Sequence, residues 1–176
     1  MSGGVIVDGY VSTDELRDCP GCPSRERMLK GPVACIECVQ EIPCNPCEAA
    51  CPKGAVHVGK PITNRPVLDG EKCIGCGLCI AKCPGLAIFV VDLAYSDSEA
   101  TVSFPHEYLP LPAEGDVVTA VNRAGKPVCG ARVVKVLNPP RNDRTPVITI
   151  AIPKEHADEV RGMARKIGGQ AQWTTT

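Results

Sequence analysis

The feature that most constrains this chain is a cysteine pattern written twice. Cys44-x-x-Cys47-x-x-x-Cys51-Pro52 recurs as Cys76-x-x-Cys79-x-x-x-Cys83-Pro84, and the match continues through Ala55-Val56-His57-Val58 and Ala87-Ile88-Phe89-Val90. Every matched position differs by 32. A duplicated half implies pseudo-two-fold symmetry and two equivalent sites. The second half is complete, because Cys73 precedes it as Cys73-x-x-Cys76. Two-residue spacers let a tight turn set three thiolates at three corners of one centre. The three-residue spacer opens a helical turn, and the proline that follows redirects the chain so that the fourth thiolate faces away. Gly75 and Gly77 lack side chains, so the backbone there can approach a centre and aim N–H groups at sulfur.

The chain holds 12 cysteines in 176 residues, an even number that raises the alternative of a disulfide framework. That alternative fits poorly. The opening Met1-Ser-Gly-Gly-Val-Ile-Val-Asp8 shows no basic region followed by a long apolar run. Disulfide-dense scaffolds are secreted and shorter. The expectation is a cytoplasmic chain whose clustered cysteines bind metal. Only 3% of residues are aromatic, so part of the stability should come from metal ligation or a partner subunit. The net charge of -1 gives no general attraction to nucleic acid, and the longest apolar run, Leu86 to Val91, is too short for membrane insertion.

Five segments follow from the pattern. Residues 1–37 are an N-terminal arm and 38–92 the cysteine-rich module. Residues 93–115 read as a linker stiffened by Pro110 and Pro112. Residues 116–168 read as a small β-barrel-like domain, with strands at 116–122, 128–137 and 147–152. Ile148, Ile150 and Ile152 share one face of the last strand. The spacing of Ala157, Val160, Ala164 and Ile167 after Pro153 predicts one closing helix stopped by Gly168-Gly169, with 169–176 as a tail. The fold class expected is α+β.

Residues 38–90 resemble the two-cluster, bacterial-type ferredoxins, whose fourth cysteine ligates the other cluster. The resemblance implies two short antiparallel strand pairs, two short helices and two [4Fe–4S] clusters with crossed ligation. One cluster then takes Cys51, Cys73, Cys76 and Cys79. The other takes Cys44, Cys47, Cys83 and one further group. The position 32 before Cys73 is Glu41, not cysteine. Cys38 is the favoured substitute, because three extra loop residues cost little chain entropy. Cys35, Glu41 as an oxygen ligand, or a three-iron cluster with no fourth ligand are the alternatives.

Cys19-x-x-Cys22-x12-Cys35-x-x-Cys38 also has zinc-ribbon-like spacing. An extra site for zinc or a third cluster, built from Cys19, Cys22, Cys35 and Cys129, stands beside the reading of these four as ordinary thiols. His57 falls on a strand position, and His106 and His156 are expected in solvent. No catalytic Ser/His/Asp set, paired-carboxylate motif or phosphate loop is evident. Thiolate-only ligation points to a carrier of single electrons and not a catalyst.

Through Lys30-Gly-Pro-Val-Ala-Cys35-Ile-Glu-Cys38-Val-Gln-Glu-Ile-Pro-Cys44-Asn-Pro-Cys47, the whole chain is similar to the ferredoxin-type small subunits of flavin-dependent amino acid or amine dehydrogenases. That likeness implies flavoprotein dehydrogenase subunits as partners in a hetero-oligomeric complex. The alternatives are a free soluble ferredoxin and a zinc-stabilised scaffold protein.

Overall fold

The computed structural model describes residues 3–165. Its helices are short: α1 (Gly4–Asp8), α2 (Thr13–Arg17), α3 (Arg25–Met28), α4 (Pro46–Ala50) and α5 (Leu78–Lys82). Isolated helices of this length do not persist in water, so each is held by caps and packing. Ser12 and Glu15 form a reciprocal capping box on α2, and the Ser24 hydroxyl accepts from the backbone of Arg27 on α3. The first residues of α4 and α5 are 32 positions apart, in step with the repeat. Among the described residues no helix is long and apolar enough to cross a membrane.

Nine strands lie among the described residues: β1 (Val33–Ile36), β2 (Val56–His57), β3 (Val67–Leu68), β4 (Ile88–Asp92), β5 (Glu99–Pro105), β6 (Val117–Asn122), β7 (Pro127–Leu137), β8 (Val147–Pro153) and β9 (Val160–Met163). β2 and β3 pair alone, and the other seven form one antiparallel sheet in the order β1-β4-β5-β8-β7-β6-β9. The three strands expected between 116 and 152 are therefore present. Two expectations are corrected. The sheet is open and not a closed barrel, with β1 and β9 as its ends. The segment expected to be the closing helix is a 3₁₀ turn, Lys154–His156, followed by strand β9. Ala157, Val160 and Ala164 are indeed buried, but through a turn and a strand. Val160 and Met163 gain ladder hydrogen bonds and burial against β6, which outweigh weak local helix preference around Gly162. Ile167, Gly168 and Gly169 lie outside the described residues. β5 falls inside the stretch read as linker, where Ala100, Val102 and Phe104 alternate into the core.

The β1–β4 ladder is a wall between two cores. Val33 and Cys35 point with Phe89 and Val91 into a larger core that includes Ile148, Ile150 and Ile152. Ala34 and Ile36 point with Ile88 and Val90 into a smaller core shared with Cys47, Cys79, Val56 and Ile80. This is period-two alternation with both faces buried. His106, expected in solvent, is buried at 4% exposure against the edge of Tyr108, and Nε2 is without a hydrogen-bond partner among the described residues. Burial holds its pKa below the ordinary histidine value.

Candidate metal centres

The smaller core contains two cavities, each walled by four cysteines. Cys51, Cys73, Cys76 and Cys79 line a space of about 350 Å³, closed by Ala34, Val56, Ile74 and Val90. Cys38, Cys44, Cys47 and Cys83 line a second space of about 470 Å³, closed by Ile36, Ile42, Pro46 and Ile88. Both values include the open mouth. Each cavity joins cysteines from both halves of the repeat: Cys51 follows α4 but lies with the cysteines around α5, and Cys83 does the reverse.

Backbone donors aim the sulfurs. The N–H of Ala55 donates to Cys51 Sγ at 3.2 Å, and the N–H of Ala87 to Cys83 Sγ at 3.5 Å. These two bonds are the same bond 32 residues apart. The N–H of Ala34 donates to Cys73 Sγ at 3.4 Å. Burial pushes the Cys47 thiol up to about 11 and the Cys79 thiol up to about 12. Isolated thiolates are therefore costly here, and a bound cation would offset the charge. Four soft donors, an apolar lining and N–H groups on sulfur suit an iron–sulfur cluster. Among the described residues no group of three or more His, Cys, Asp or Glu could hold a single metal ion.

The three candidates for the fourth group stand in different places. Cys35 lies on the wrong face of β1, in the larger core. Glu41 is exposed and absent from the cavity lining. Cys38 lines the cavity, and burial first, then the charges of Cys83 and Cys44, push its thiol pKa up.

Two features escaped sequence reading. Arg27 on α3 spreads one guanidinium over the carbonyls of Gly70, Gly31, Pro32 and Cys73, at 2.6 to 3.4 Å, tying the arm to the Cys73 loop. Glu37, beside Cys38, is buried between Arg123 and Arg161. Neither has a local signal, because partners lie as far as 124 residues away. Cys19, Cys22 and Cys35 come together at the arm. Cys129 is on β7 opposite Ala120 and, like Cys22, packs against the larger core; burial raises its pKa and the charges acting on it are Glu159 and Glu155. His57 is an exposed strand residue.

Gly75 is required at its position. Its φ is +64°, and an added Cβ would lie 2.6 Å from Pro32 Cβ and 2.7 Å from Pro32 O. Gly77 has φ +74° but meets nothing closer than 3.6 Å. Gly75→Ala is thus expected to lower the yield of metal-loaded protein severely. Gly77→Ala should cost only the backbone strain, about 1–2 kcal/mol. Iron per folded chain and denaturant unfolding of both variants check this.

Residues 66–89 match the 4Fe–4S binding domain family. An uncharacterized ferredoxin of Methanocaldococcus jannaschii is 38% identical over 68 residues, covering 38% of this chain and 40% of that protein. The polyferredoxin-like subunit of an aliphatic sulfonate oxidoreductase from Pyrococcus furiosus is 43% identical over 54 residues, 31% of this chain and 28% of that one. One subunit of an ion-translocating oxidoreductase complex from Methanosarcina acetivorans is 45% identical over 47 residues, 27% of this chain and 17% of that one. The chain spans less than half the length of these relatives. No solved structure matches it significantly.

Proposed function

We propose that this chain, which carries a 4Fe–4S binding domain of the ferredoxin kind, holds two [4Fe–4S] clusters and passes single electrons as a subunit of a larger oxidoreductase. The observation that carries this reading is the pair of four-thiol cavities related by the repeat. Cys51, Cys73, Cys76 and Cys79 hold one cluster; Cys38, Cys44, Cys47 and Cys83 hold the other. When bound, such clusters supply reversible one-electron chemistry.

The protein's own residues orient the sulfurs through the N–H groups of Ala34, Ala55 and Ala87, and exclude water with Ile36, Val56, Ile88 and Val90. Four thiolates per site leave no ligand position for substrate, so the role is conduction. Cys76 is exposed beside Ile74, which is 54% exposed, and this apolar edge suits electron exchange with a docked partner. The arm and the seven-stranded sheet go well beyond what a free carrier needs. Two of the matched relatives are named as subunits of oxidoreductases. In this reading the partner is a flavoprotein dehydrogenase subunit.

Iron, sulfide and zinc analysis of anaerobically purified protein tests the cofactor. About eight irons per chain, with matching sulfide, is expected. Absence of acid-labile sulfide would overturn the reading, and zinc alone would favour a scaffold. Purification from the native source tests the complex: a monomer without flavoprotein would leave a free ferredoxin.

Pro46 opens α4 where Leu78 opens α5, and proline has no N–H to offer a cluster. N–H donors favour the more negative, reduced state. Pro46→Leu is therefore expected to raise one midpoint potential and leave the other in place, as read by redox titration.

A further inference from the structure

Three thiols that neither cavity uses meet on the flank of β1. The Cys22 thiol is hydrogen-bonded with those of both Cys19 and Cys35. The Cys19 and Cys22 thiols also converge on one backbone carbonyl, that of Ile36, at 3.3 and 3.8 Å. The backbone enforces this meeting. The Cys19-Pro-Gly-Cys22 turn is closed by the Cys22 N–H donating to the Cys19 carbonyl at 3.0 Å. It is fastened to β1 by the Ile36 N–H donating to the Gly21 carbonyl at 2.9 Å. Gly21 presses so closely that an added Cβ would lie 2.5 Å from Ile36 O.

Reach and charge complete the arrangement. Cys19 and Cys35 are buried, at 5% and 3% exposure, whereas Cys22 is only half-buried. Solvent molecules therefore meet Cys22 first. Two guanidiniums, Arg123 and Arg161, share the single carboxylate of Glu37, and the surplus positive charge acts on Cys35. Cys22 supplies the accessibility and Cys35 the electropositive surroundings, the two conditions under which thiols react with disulfides.

We propose that Cys19, Cys22 and Cys35 form a thiol-oxidation site that reacts with a low-molecular-weight disulfide, such as glutathione disulfide, and closes a protein disulfide that always contains Cys22. In the first step the Cys22 thiol, the most accessible of the three, gives up its proton to water and its sulfur attacks the small disulfide. A Cys22–glutathione S–S bond forms, the glutathione S–S bond breaks, and one glutathione thiolate leaves. In the second step Cys35 or Cys19, as thiolate, attacks the Cys22 sulfur and expels the second glutathione thiolate. Both thiol protons end on the two glutathiones. The protein is oxidised by two electrons and the small disulfide is reduced by two. The site flanks the Cys38 cavity, since the Cys19 thiol lies 3.9 Å from the Cys38 carbonyl.

The test uses anaerobically purified, cluster-loaded protein. It is incubated with glutathione disulfide, alkylated, digested and mapped by mass spectrometry, with visible absorbance recorded throughout. The expected result is one linked peptide pair per chain through Cys22, to Cys35 or Cys19, with absorbance retained. Cys22→Ser, a near-isosteric change at a half-buried position, should abolish it. Cys19→Ser and Cys35→Ser should each keep a bond through the remaining partner. Complete alkylation of all three cysteines in the treated protein would overturn the proposal. So would a Cys19–Cys35 bond in Cys22→Ser, or zinc or iron retained at these residues and shielding them. Lack of visible absorbance before treatment would instead count against the electron-carrier reading and leave the peptide map readable.

Discussion

Cys51→Ala is expected to remove about half of the iron and sulfide, and the half removed should be the centre beside α5, not the one beside the mutated residue's own repeat. Cys51 sits at the C-terminal end of α4, four residues after Cys47, so nearness in sequence assigns it to the Cys44/Cys47 site. The fold does the opposite, turning its sulfur toward Cys73, Cys76 and Cys79. Cys83→Ala is the mirror case and should empty the Cys44/Cys47 site. Iron analysis alone cannot tell the two variants apart, but the Pro46→Leu shift can. That shift should persist in the Cys51→Ala background and vanish in Cys83→Ala. The opposite pattern would show that each repeat ligates its own centre. Both variants should also lose stability, because Cys47 and Cys79 are core residues as well as donors, and an empty cavity leaves buried thiols facing nothing.

Glu37→Gln is expected to destabilise the fold by about 3–5 kcal/mol. Its carboxylate accepts from Arg123 Nε and NH2 at 2.7 and 2.6 Å and from Arg161 Nε at 2.6 Å. Arg161 is itself buried, donating from NH1 to the carbonyls of Ala157 and Val160 and lying over the Phe89 ring. The neutral amide leaves two guanidiniums without the carboxylate that both are bonded to. It also loosens β9 and the β6–β7 turn from the end of β1, one residue before Cys38. Chemical denaturation of wild type and variant measures the loss.

The pH dependence has a definite sign. Burial alone would raise the Glu37 pKa, but the hydrogen bonds and charges of Arg123 and Arg161 hold it below the ordinary value. A depressed folded-state pKa contributes stability in full above the unfolded value, about 4.3 for glutamate, and loses it as pH falls through the folded value. The gap between wild type and Glu37→Gln should therefore be constant above about pH 4.3 and close below it.

Local patterns were legible and distant ones were not. The repeat, the turn glycines and the strands at 117–122, 127–137 and 147–153 could be read because each depends on neighbours within a few residues. The misreading at 157–164 has the same origin. Apolar spacing there fits a helix as well as a turn and a strand, and only β6, some forty residues earlier, selects the strand. The Glu37–Arg123–Arg161 set had no signature, since an acidic or basic residue in isolation reads as solvated surface.

The amino-acid order by itself determined that this chain presents two equivalent sets of thiols, because the spacing of cysteine, glycine and proline restricts what a tight turn can place on one side. Only the tertiary structure decided which further sulfur joins Cys44, Cys47 and Cys83 in one cavity. Pairing β1 with β4 sends alternate side chains to opposite cores, placing Cys38 beside Cys44 and Cys83 while turning Cys35 away to meet Cys22. That division follows from the pleat of a strand buried on both faces, and strand pairing across more than fifty residues is a property of the folded chain, not of any short segment.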